Sequence, residues 1–303
     1  MSATVGTVVL PNPVMTASGT SGHGAELGAY FDLSTLGAVV VKSLSAEPWP
    51  GNPAPRVHET DAGMLNSVGL QNPGVEAWVE DELPELLSTG ARVVASIWGS
   101  TLAGYEKAAA ALAGVSPQVV AVEVNLSCPN LEHGRHMFAA EPSATREAME
   151  ATAGCGRPRW AKLSPNVTDI VEIAGAALTG GADALTLVNT VKGMAIDPVT
   201  HRPRLGAGGG GLSGPAIRPV AVRALYDCRQ AFPLAALVGV GGVATGEHAV
   251  ELLLAGADAV QVGTATFADP RAPARILDEL RRWCRRRGVT KVADLLGGAH
   301  GTP

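Results

Sequence analysis

The chain alternates short apolar runs with amphipathic stretches, and turn residues separate the two. Apolar, β-branched runs predict strands, and the stretches between them predict helices. Eight such runs can be counted: Val14–Ala17, Ala38–Val41, Val93–Ile97, Val119–Leu126, Arg159–Leu163, Ala184–Val188, Ala235–Val240 and Ala259–Val262. Most are continuously apolar, which is typical of parallel strands covered on both faces. The pattern predicts an α/β fold, a single (β/α)₈ TIM barrel over residues 1–303.

Helical candidates lie between and after these runs, and glycines end several of them. They are Pro73–Leu87, Leu102–Ala113, Val167–Leu178, Pro215–Gln230, Gly246–Leu254 and Ala272–Arg286. A doubly wound open sheet is disfavoured because its Gly-x-Gly-x-x-Gly turn is absent, and the Gly-rich segment 18–22 has the wrong spacing. Three long connections follow predicted strands: Ser43–Asn72, Pro129–Pro142 and Thr190–Gly214. In a barrel they would lie on the C-terminal face, where active sites are built.

Composition narrows the class of protein further. Hydrophobic residues make up 46% and charged residues 17% of the 303 positions, a balance that excludes a disordered chain. The net charge of −5, without a basic stripe, argues against nucleic acid as a partner. No apolar stretch approaches a membrane span, and no secretory signal is recognisable. The four cysteines form no C-x-x-C pair, so we expect neither a metal site nor a disulfide framework, and a soluble, cytoplasmic protein.

Polar side chains stand at the ends of four predicted strands. These residues are Lys42, Ser43, Asn125, Lys162, Asn189 and Thr190. A single polar residue at such a place could simply cap the next helix. Two lysines and two asparagines are harder to explain in that way, because an unpaired buried charge is costly. The set predicts a shared ligand site at the strand ends.

Glycines follow the last two predicted strands. Gly241 and Gly242 end the seventh strand, and Gly263 with Thr264 ends the eighth. Backbone N–H groups at glycine-rich helix starts can bind anions, and many barrels hold a phosphate in these two loops. Tight turns are the alternative explanation, but the paired occurrence favours phosphate. Asn66 has no evident structural role and is a candidate ligand contact.

Cys128 follows the fourth strand and precedes Pro129 among asparagines. A lone cysteine is more often a small buried apolar residue. This position could instead support a base or a nucleophile, because proline stiffens the loop. His133 and His136 lie nearby without a matching carboxylate, so a protease-like triad is weakly supported. The residues alone leave base, nucleophile and bystander open.

Five segments together resemble class 1 dihydroorotate dehydrogenases, and the resemblance runs nearly end to end. The segments are Asn-Leu-Ser-Cys-Pro-Asn, Asn-Ser-Val-Gly-Leu-Gln-Asn-Pro-Gly, Lys-Leu-Ser-Pro-Asn, Asn-Thr-Val-Lys-Gly-Met-Ala-Ile-Asp and Gly-Gly-Leu-Ser-Gly-Pro-Ala-Ile. The segment from Lys192 to Asp197 resembles the class 1B catalytic subunit rather than the fumarate-using class 1A. Membrane-bound class 2 enzymes use a serine base and an N-terminal helical extension, whereas this chain has Cys128 and we expect no such extension.

The resemblance implies FMN-dependent oxidation of dihydroorotate to orotate in pyrimidine biosynthesis. Cys128 would remove the C5 proton while a hydride passes from C6 to FMN. Substrate contacts would come from Lys42, Asn66, Asn125, Asn189 and Thr190. Flavin contacts would come from Ser18, Lys42, Ser43, Asn125, Lys162, Gly214, Gly241, Gly242, Gly263 and Thr264. For class 1B, the resemblance also implies a partner subunit with FAD and a [2Fe–2S] cluster. The assembly would be a homodimer of this chain or a heterotetramer with the partner subunit.

Two positions depart from the family pattern. Ser96 stands where the family commonly has asparagine, and Arg135 replaces a second glycine in the loop after Cys128. They keep open a related FMN barrel enzyme that acts on another dihydropyrimidine or an enoate-like substrate. A non-redox phosphate-binding barrel with a Schiff-base lysine, Lys42 or Lys162, and a catalytically idle binding subunit are further alternatives.

Overall fold

The computed structural model describes residues 1–127 and 137–301. Its strands, in chain order, are β1 Ala3–Val5, β2 Val8–Leu10, β3 Val14–Thr16, β4 Val39–Val40, β5 Val57–Thr60, β6 Gly63–Asn66, β7 Val93–Ile97, β8 Val119–Asn125, β9 Arg159–Leu163, β10 Ala184–Leu187, β11 Val191–Gly193, β12 Gly210–Ser213, β13 Ala236–Val240 and β14 Ala259–Val262. Its helices are α1 Val75–Ala77, α2 Leu83–Ser88, α3 Leu102–Ala110, α4 Pro142–Ala151, α5 Ile170–Thr179, α6 Arg218–Ala231, α7 Gly246–Leu254, α8 Ala265–Ala268 and α9 Ala272–Arg287.

Eight parallel strands form the barrel, in the order β3-β14-β13-β10-β9-β8-β7-β4. A parallel bridge between Met15 and Ala38 joins the two end strands and closes the ring. Every residue of β7 is buried, as expected for a strand with helices on one side and the barrel interior on the other. The predicted TIM barrel is confirmed, and its eight strands are the eight apolar runs of the sequence.

The lower barrel interior is filled by apolar side chains and closed by an N-terminal hairpin. Strands β1 and β2 pair antiparallel, and Val5 and Leu10 pack into the interior against Met15, Val94 and Trp160. A separate, larger apolar cluster lies between the sheet and the surrounding helices. The interior is therefore a packed core at the hairpin end of the barrel. The polar side chains of the candidate site lie at the opposite end, at or just beyond the C-terminal ends of the strands.

Most predicted helices are present with shifted bounds. The first is a helical segment over 75–88, with a wider turn at Trp78–Glu82 between α1 and α2. Helix α5 begins after Asp169, whose carboxylate accepts the backbone N–H groups of Val171 and Glu172, so the predicted start at Val167 was early. Helix α4 was not among the predicted helices. No helix within the described residues is long and apolar enough to span a membrane.

Two of the long connections form a second sheet that the sequence analysis did not predict. Strands β5 and β6, from the segment after β4, pair with each other, β6 pairs with β12, and β12 pairs with β11, all antiparallel, in the order β11-β12-β6-β5. The four strands are partly exposed and three of them contain glycine, so they lack the apolar runs that identified the barrel strands. The sheet carries Asn66 and ends beside Gly214.

Candidate functional site

Asn125 is the centre of a polar network at the C-terminal end of the barrel. Its Nδ2 donates to Ser43 Oγ at 3.3 Å, and its Oδ1 accepts from Asn189 Nδ2 at 3.2 Å and from the Ser127 N–H at 3.2 Å. Ser43 Oγ lies 2.9 Å from Ser96 Oγ, which is fully buried. Residues at or just beyond the C-terminal ends of β4, β7, β8 and β10 are thereby connected. Ser96 therefore belongs to this network, and its hydroxyl group has a hydrogen-bond partner in Ser43.

Thr190 and Asn66 meet at Gly211 of the second sheet. Asn189 Oδ1 accepts the Thr190 N–H at 2.8 Å, which joins this pair to the Asn125 network. The Thr190 side chain lies against Gly211, and a Cβ added at Gly211 would overlap the Thr190 hydroxyl group. Asn66 Nδ2 donates to the Gly211 carbonyl at 3.4 Å. The predicted substrate residues Asn66, Asn125, Asn189 and Thr190 therefore form one connected patch.

The two predicted lysines converge on the segment after β3. Lys162 Nζ donates to Ser18 Oγ at 2.9 Å. Lys42 runs past the adjacent Gly19, where a Cβ would lie 3.5 Å from its Cδ and 3.8 Å from its Nζ. The structure thus brings both cations to the residues that β3 presents at the C-terminal face.

Lys162 is also held from below by groups that the sequence analysis missed. Its Nζ lies 3.1 Å from Glu123 Oε1 and 3.3 Å from Gln261 Oε1, and both partners are fully buried. A Schiff-base lysine must present a free nitrogen to the substrate. Lys162 Nζ is instead held by three acceptors, Glu123, Gln261 and Ser18, so its contacts disfavour Lys162 in that role.

The glycines at the ends of β12 and β14 allow close approach between the second sheet and the barrel. Gly214 has φ +95°, and a Cβ there would lie 2.7 Å from Gly63 Cα and 3.4 Å from Thr264 Cγ2. Thr264 Oγ1 donates to Ser213 Oγ at 2.8 Å. Gly263 lies beside Ala17, the residue before Ser18. The predicted cofactor residues Ser18, Gly214, Gly263 and Thr264 thus share one rim of the barrel.

Gly241 and Gly242 are required by the packing of the turn against helix α6. Their φ angles are +135° and +72°. A Cβ at Gly241 would lie 2.8 Å from Ala221 Cβ, and one at Gly242 would lie 2.6 Å from Arg218 Cβ, both on α6. The tight-turn explanation therefore accounts for both glycines. Phosphate binding at this turn stays a prediction.

Cys128 lies outside the described residues, as do His133, Arg135 and His136. The other three cysteines, Cys155, Cys228 and Cys284, are free and buried. Burial raises the pKa of all three thiols, that of Cys228 to about 12. Raised values keep these thiols protonated and inert near neutrality.

His23 was not predicted and lies beside the site. It lines a cavity of about 700 Å³ together with Lys42, Trp49 and Gln71. Burial, and next the charge of Lys42, lower the pKa of His23 from its usual 6.5. Its Nε2 is buried and has no hydrogen-bond partner among the described residues. Within the lining of this cavity only Lys42 belongs to the predicted set, so we place the site at the Asn125 network and regard the cavity as an adjoining space.

Comparison with known proteins identifies the family of this chain. The family model for dihydroorotate dehydrogenase matches residues 1–283. The chain belongs to the dihydroorotate dehydrogenase family. The expectations of an oxidoreductase and of this family are thereby confirmed, and the non-redox lyase or isomerase alternative is set aside.

Relatives in the family align along nearly the whole chain. A protein of Geobacter sp. (strain M21) is 46% identical over 98% of this chain and 97% of its own length. One of Desulforudis audaxviator is 49% identical over 97% and 96%. Both are named dihydroorotate dehydrogenase B (NAD(+)), catalytic subunit. A relative from Solibacter usitatus, 48% identical over 98% and 97%, carries the provisional name dihydroorotate dehydrogenase A (fumarate).

Proposed function

We propose that this chain oxidises dihydroorotate to orotate with FMN as the bound electron acceptor. The observation that carries the proposal is the single hydrogen-bonded patch that joins Ser43, Asn125 and Asn189 beside the buried ammonium of Lys162. An apolar core lies below this patch, and the rim formed by Ser18, Gly263 and Thr264 borders it.

The side chains at this rim fit the chemistry of a flavin. Lys162 presents a buried cation. Its hydrogen bond to Ser18 lies on the side of the ion pair that faces the rim. A cation there would stabilise the negative charge that a reduced flavin ring carries. Ring contacts would come from Ser18, Lys42, Ser43, Asn125 and Lys162, and further lining from Gly214, Gly241, Gly242, Gly263 and Thr264. When bound, FMN supplies the acceptor for the hydride from C6 of the substrate.

The asparagine patch suits a dihydropyrimidine. Each side-chain amide offers both a carbonyl acceptor and N–H donors, and the substrate ring alternates N–H and C=O groups. Asn66, Asn125 and Asn189 would therefore orient the ring, with Thr190 beside them. Lys42 would pair with the substrate carboxylate, because an ammonium group binds a carboxylate by charge-assisted hydrogen bonds.

Cys128 would act as the base that takes the proton from C5. A thiol has a reference pKa of about 8.5, nearer to neutrality than a serine hydroxyl, and so reaches the basic thiolate form more readily. Asn125 Oδ1 accepts the N–H of Ser127, the residue directly before Cys128. The same asparagine would therefore orient the substrate ring and anchor the start of the segment that carries the base.

The electrons would pass on to NAD through a second subunit with FAD and a [2Fe–2S] cluster. The names of the Geobacter and Desulforudis relatives and the segment from Lys192 to Asp197 support this assignment. The name of the Solibacter relative makes fumarate the alternative acceptor. We further propose one flavin-binding domain over residues 1–303, a cytoplasmic location, and a homodimer or a heterotetramer with the partner subunit.

The test is anaerobic addition of dihydroorotate to the FMN-loaded chain. We expect loss of the visible flavin absorbance with dihydroorotate and no loss with dihydrouracil, which lacks the carboxylate. Bleaching by dihydrouracil alone would instead favour the second candidate, an FMN barrel enzyme for another dihydropyrimidine. A chain that cannot be loaded with FMN would overturn the proposal.

A further inference from the structure

A fully buried carboxylate lies directly below the site. Glu123 of β8 has no exposed surface and forms an ion pair with Lys162 of β9, with 3.1 Å between Oε1 and Nζ. Gln261 of β14 bridges the pair: its Nε2 donates to Glu123 Oε2 at 2.6 Å, and its Oε1 accepts from Lys162 Nζ at 3.3 Å. Side chains from two strands, β8 and β14, thus hold the ammonium group of Lys162 on a third strand, β9.

The hydrogen bonds of Lys162 divide into two kinds. An ammonium group has three N–H donors, and the structure gives Lys162 three acceptors: Glu123, Gln261 and Ser18. Glu123 and Gln261 are fully buried, whereas Ser18 is partly exposed at the rim. Only the bond to Ser18 can therefore be exchanged for an acceptor on a bound ligand.

The surroundings make Lys162 the principal compensation for the charge of Glu123. Trp160, Ala121 and Val238 belong to the apolar interior cluster beneath the pair, and the β1–β2 hairpin closes that end. The lower side of Glu123 therefore faces apolar side chains rather than solvent. A buried carboxylate in such a place is stable only when it is paired and hydrogen-bonded.

We infer that Glu123 is a positioning residue for the flavin chemistry, acting through Lys162. It holds the ammonium at the floor of the site, with Gln261 fixing its direction, and it offsets part of the positive charge that Lys162 presents to the flavin. This inference rests on the proposed function. With both groups ionised the pair has no net charge, and removal of the carboxylate alone leaves a net charge of +1 next to the ring.

The sign of a redox shift tests this role. The reduced flavin ring carries negative charge and the oxidised ring does not, so added positive charge favours the reduced form. In Glu123→Gln we expect reduced FMN to bind about tenfold more tightly relative to oxidised FMN, which raises the two-electron midpoint potential by about 30 mV. A buried carboxylate that has lost its cation is stable only in its neutral form, so the same substitution should have no effect on the potential in a Lys162→Met background.

Two further variants complete the experiment. Glu150→Gln removes the acid of an exposed ion pair, Arg146–Glu150 on α4, and should leave the midpoint potential unchanged. Glu123→Asp keeps the charge but draws it back by one methylene, so we expect a smaller rise. If Glu123→Gln fails to fold, as judged by circular dichroism of the FMN-free chain, Glu123→Asp decides.

The outcomes separate the inference from the proposed function. A wild-type chain that binds FMN and is bleached by dihydroorotate, together with an unchanged or lowered potential in Glu123→Gln or in the deciding Glu123→Asp, would overturn the role of Glu123 alone. A wild-type chain that binds no FMN would overturn the proposed function first. A raised potential that depends on Lys162 would support both.

Discussion

Replacing Asn125 with alanine should reduce both stability and ligand affinity. Among the described residues, the change removes three side-chain hydrogen bonds, with Ser43, Asn189 and the Ser127 N–H. At about 1 kcal/mol each, the free energy of unfolding should fall by about 3 kcal/mol. If the amide also binds the pyrimidine ring, orotate should bind about 10- to 100-fold more weakly, because a buried ring group left without its hydrogen-bond partner costs about 1–3 kcal/mol.

Asn166→Ala is the matched control for Asn125→Ala. Asn166 also makes three side-chain hydrogen bonds, to Ser164 Oγ, to the Thr190 carbonyl and from the Lys192 N–H. Urea unfolding should show a similar loss of about 3 kcal/mol, whereas flavin-difference titration should show orotate affinity within about twofold of wild type. Equal weakening of orotate binding in the two variants would refute a direct ligand contact by Asn125.

Three other substitutions test separate parts of the account. Cys128→Ser should slow flavin reduction by about 10²-fold or more near neutral pH, with recovery as pH rises, because the serine hydroxyl is a poorer base; an unchanged rate in stopped-flow would count against the thiol. Ser96→Ala removes the contact with Ser43, so thermal unfolding should show a loss of about 1 kcal/mol and fluorescence titration should show weaker FMN binding; unchanged values would exclude Ser96 from the network. Burial and the charge of Lys42 lower the pKa of His23. Below about pH 6.5 the unfolded chain therefore binds a proton that the folded chain does not. The free energy of unfolding should fall as pH drops through that value, and His23 should not affect it at higher pH. His23→Gln should therefore lose less stability than wild type between about pH 7.5 and about pH 5.5, and equal losses in urea unfolding would contradict this reasoning.

The barrel could be predicted from the sequence because each strand has a local signature. Strands buried on both faces are continuously apolar, and the predicted bounds of Val93–Ile97, Arg159–Leu163 and Ala259–Val262 agree with the structure. Helix Gly246–Leu254 also has its predicted bounds. The second sheet escaped prediction because its partly exposed strands have no apolar runs and its central pairing, β6 with β12, joins segments far apart in the chain.

The candidate site shows the same division between local and long-range information. Asn125, Lys162 and Asn189 stand out because polar residues at the ends of apolar strands are unusual. Glu123 is hidden within an apolar strand, and its partners lie 39 and 138 residues further along the chain. The packing of Gly241 and Gly242 against α6 is likewise invisible without the fold. The family resemblance gives the proposed roles of Asn125, Lys162 and Asn189, and the structure gives their contacts.

A single-turnover experiment tests the central claim most directly. The FMN-loaded chain is mixed anaerobically with a slight excess of dihydroorotate, and the loss of flavin absorbance is compared with the orotate formed, measured by chromatography. We predict one orotate for each flavin reduced. Loss of flavin colour without orotate, or no loss of colour at all, would contradict the assignment of this chain as a dihydroorotate-oxidising flavoprotein.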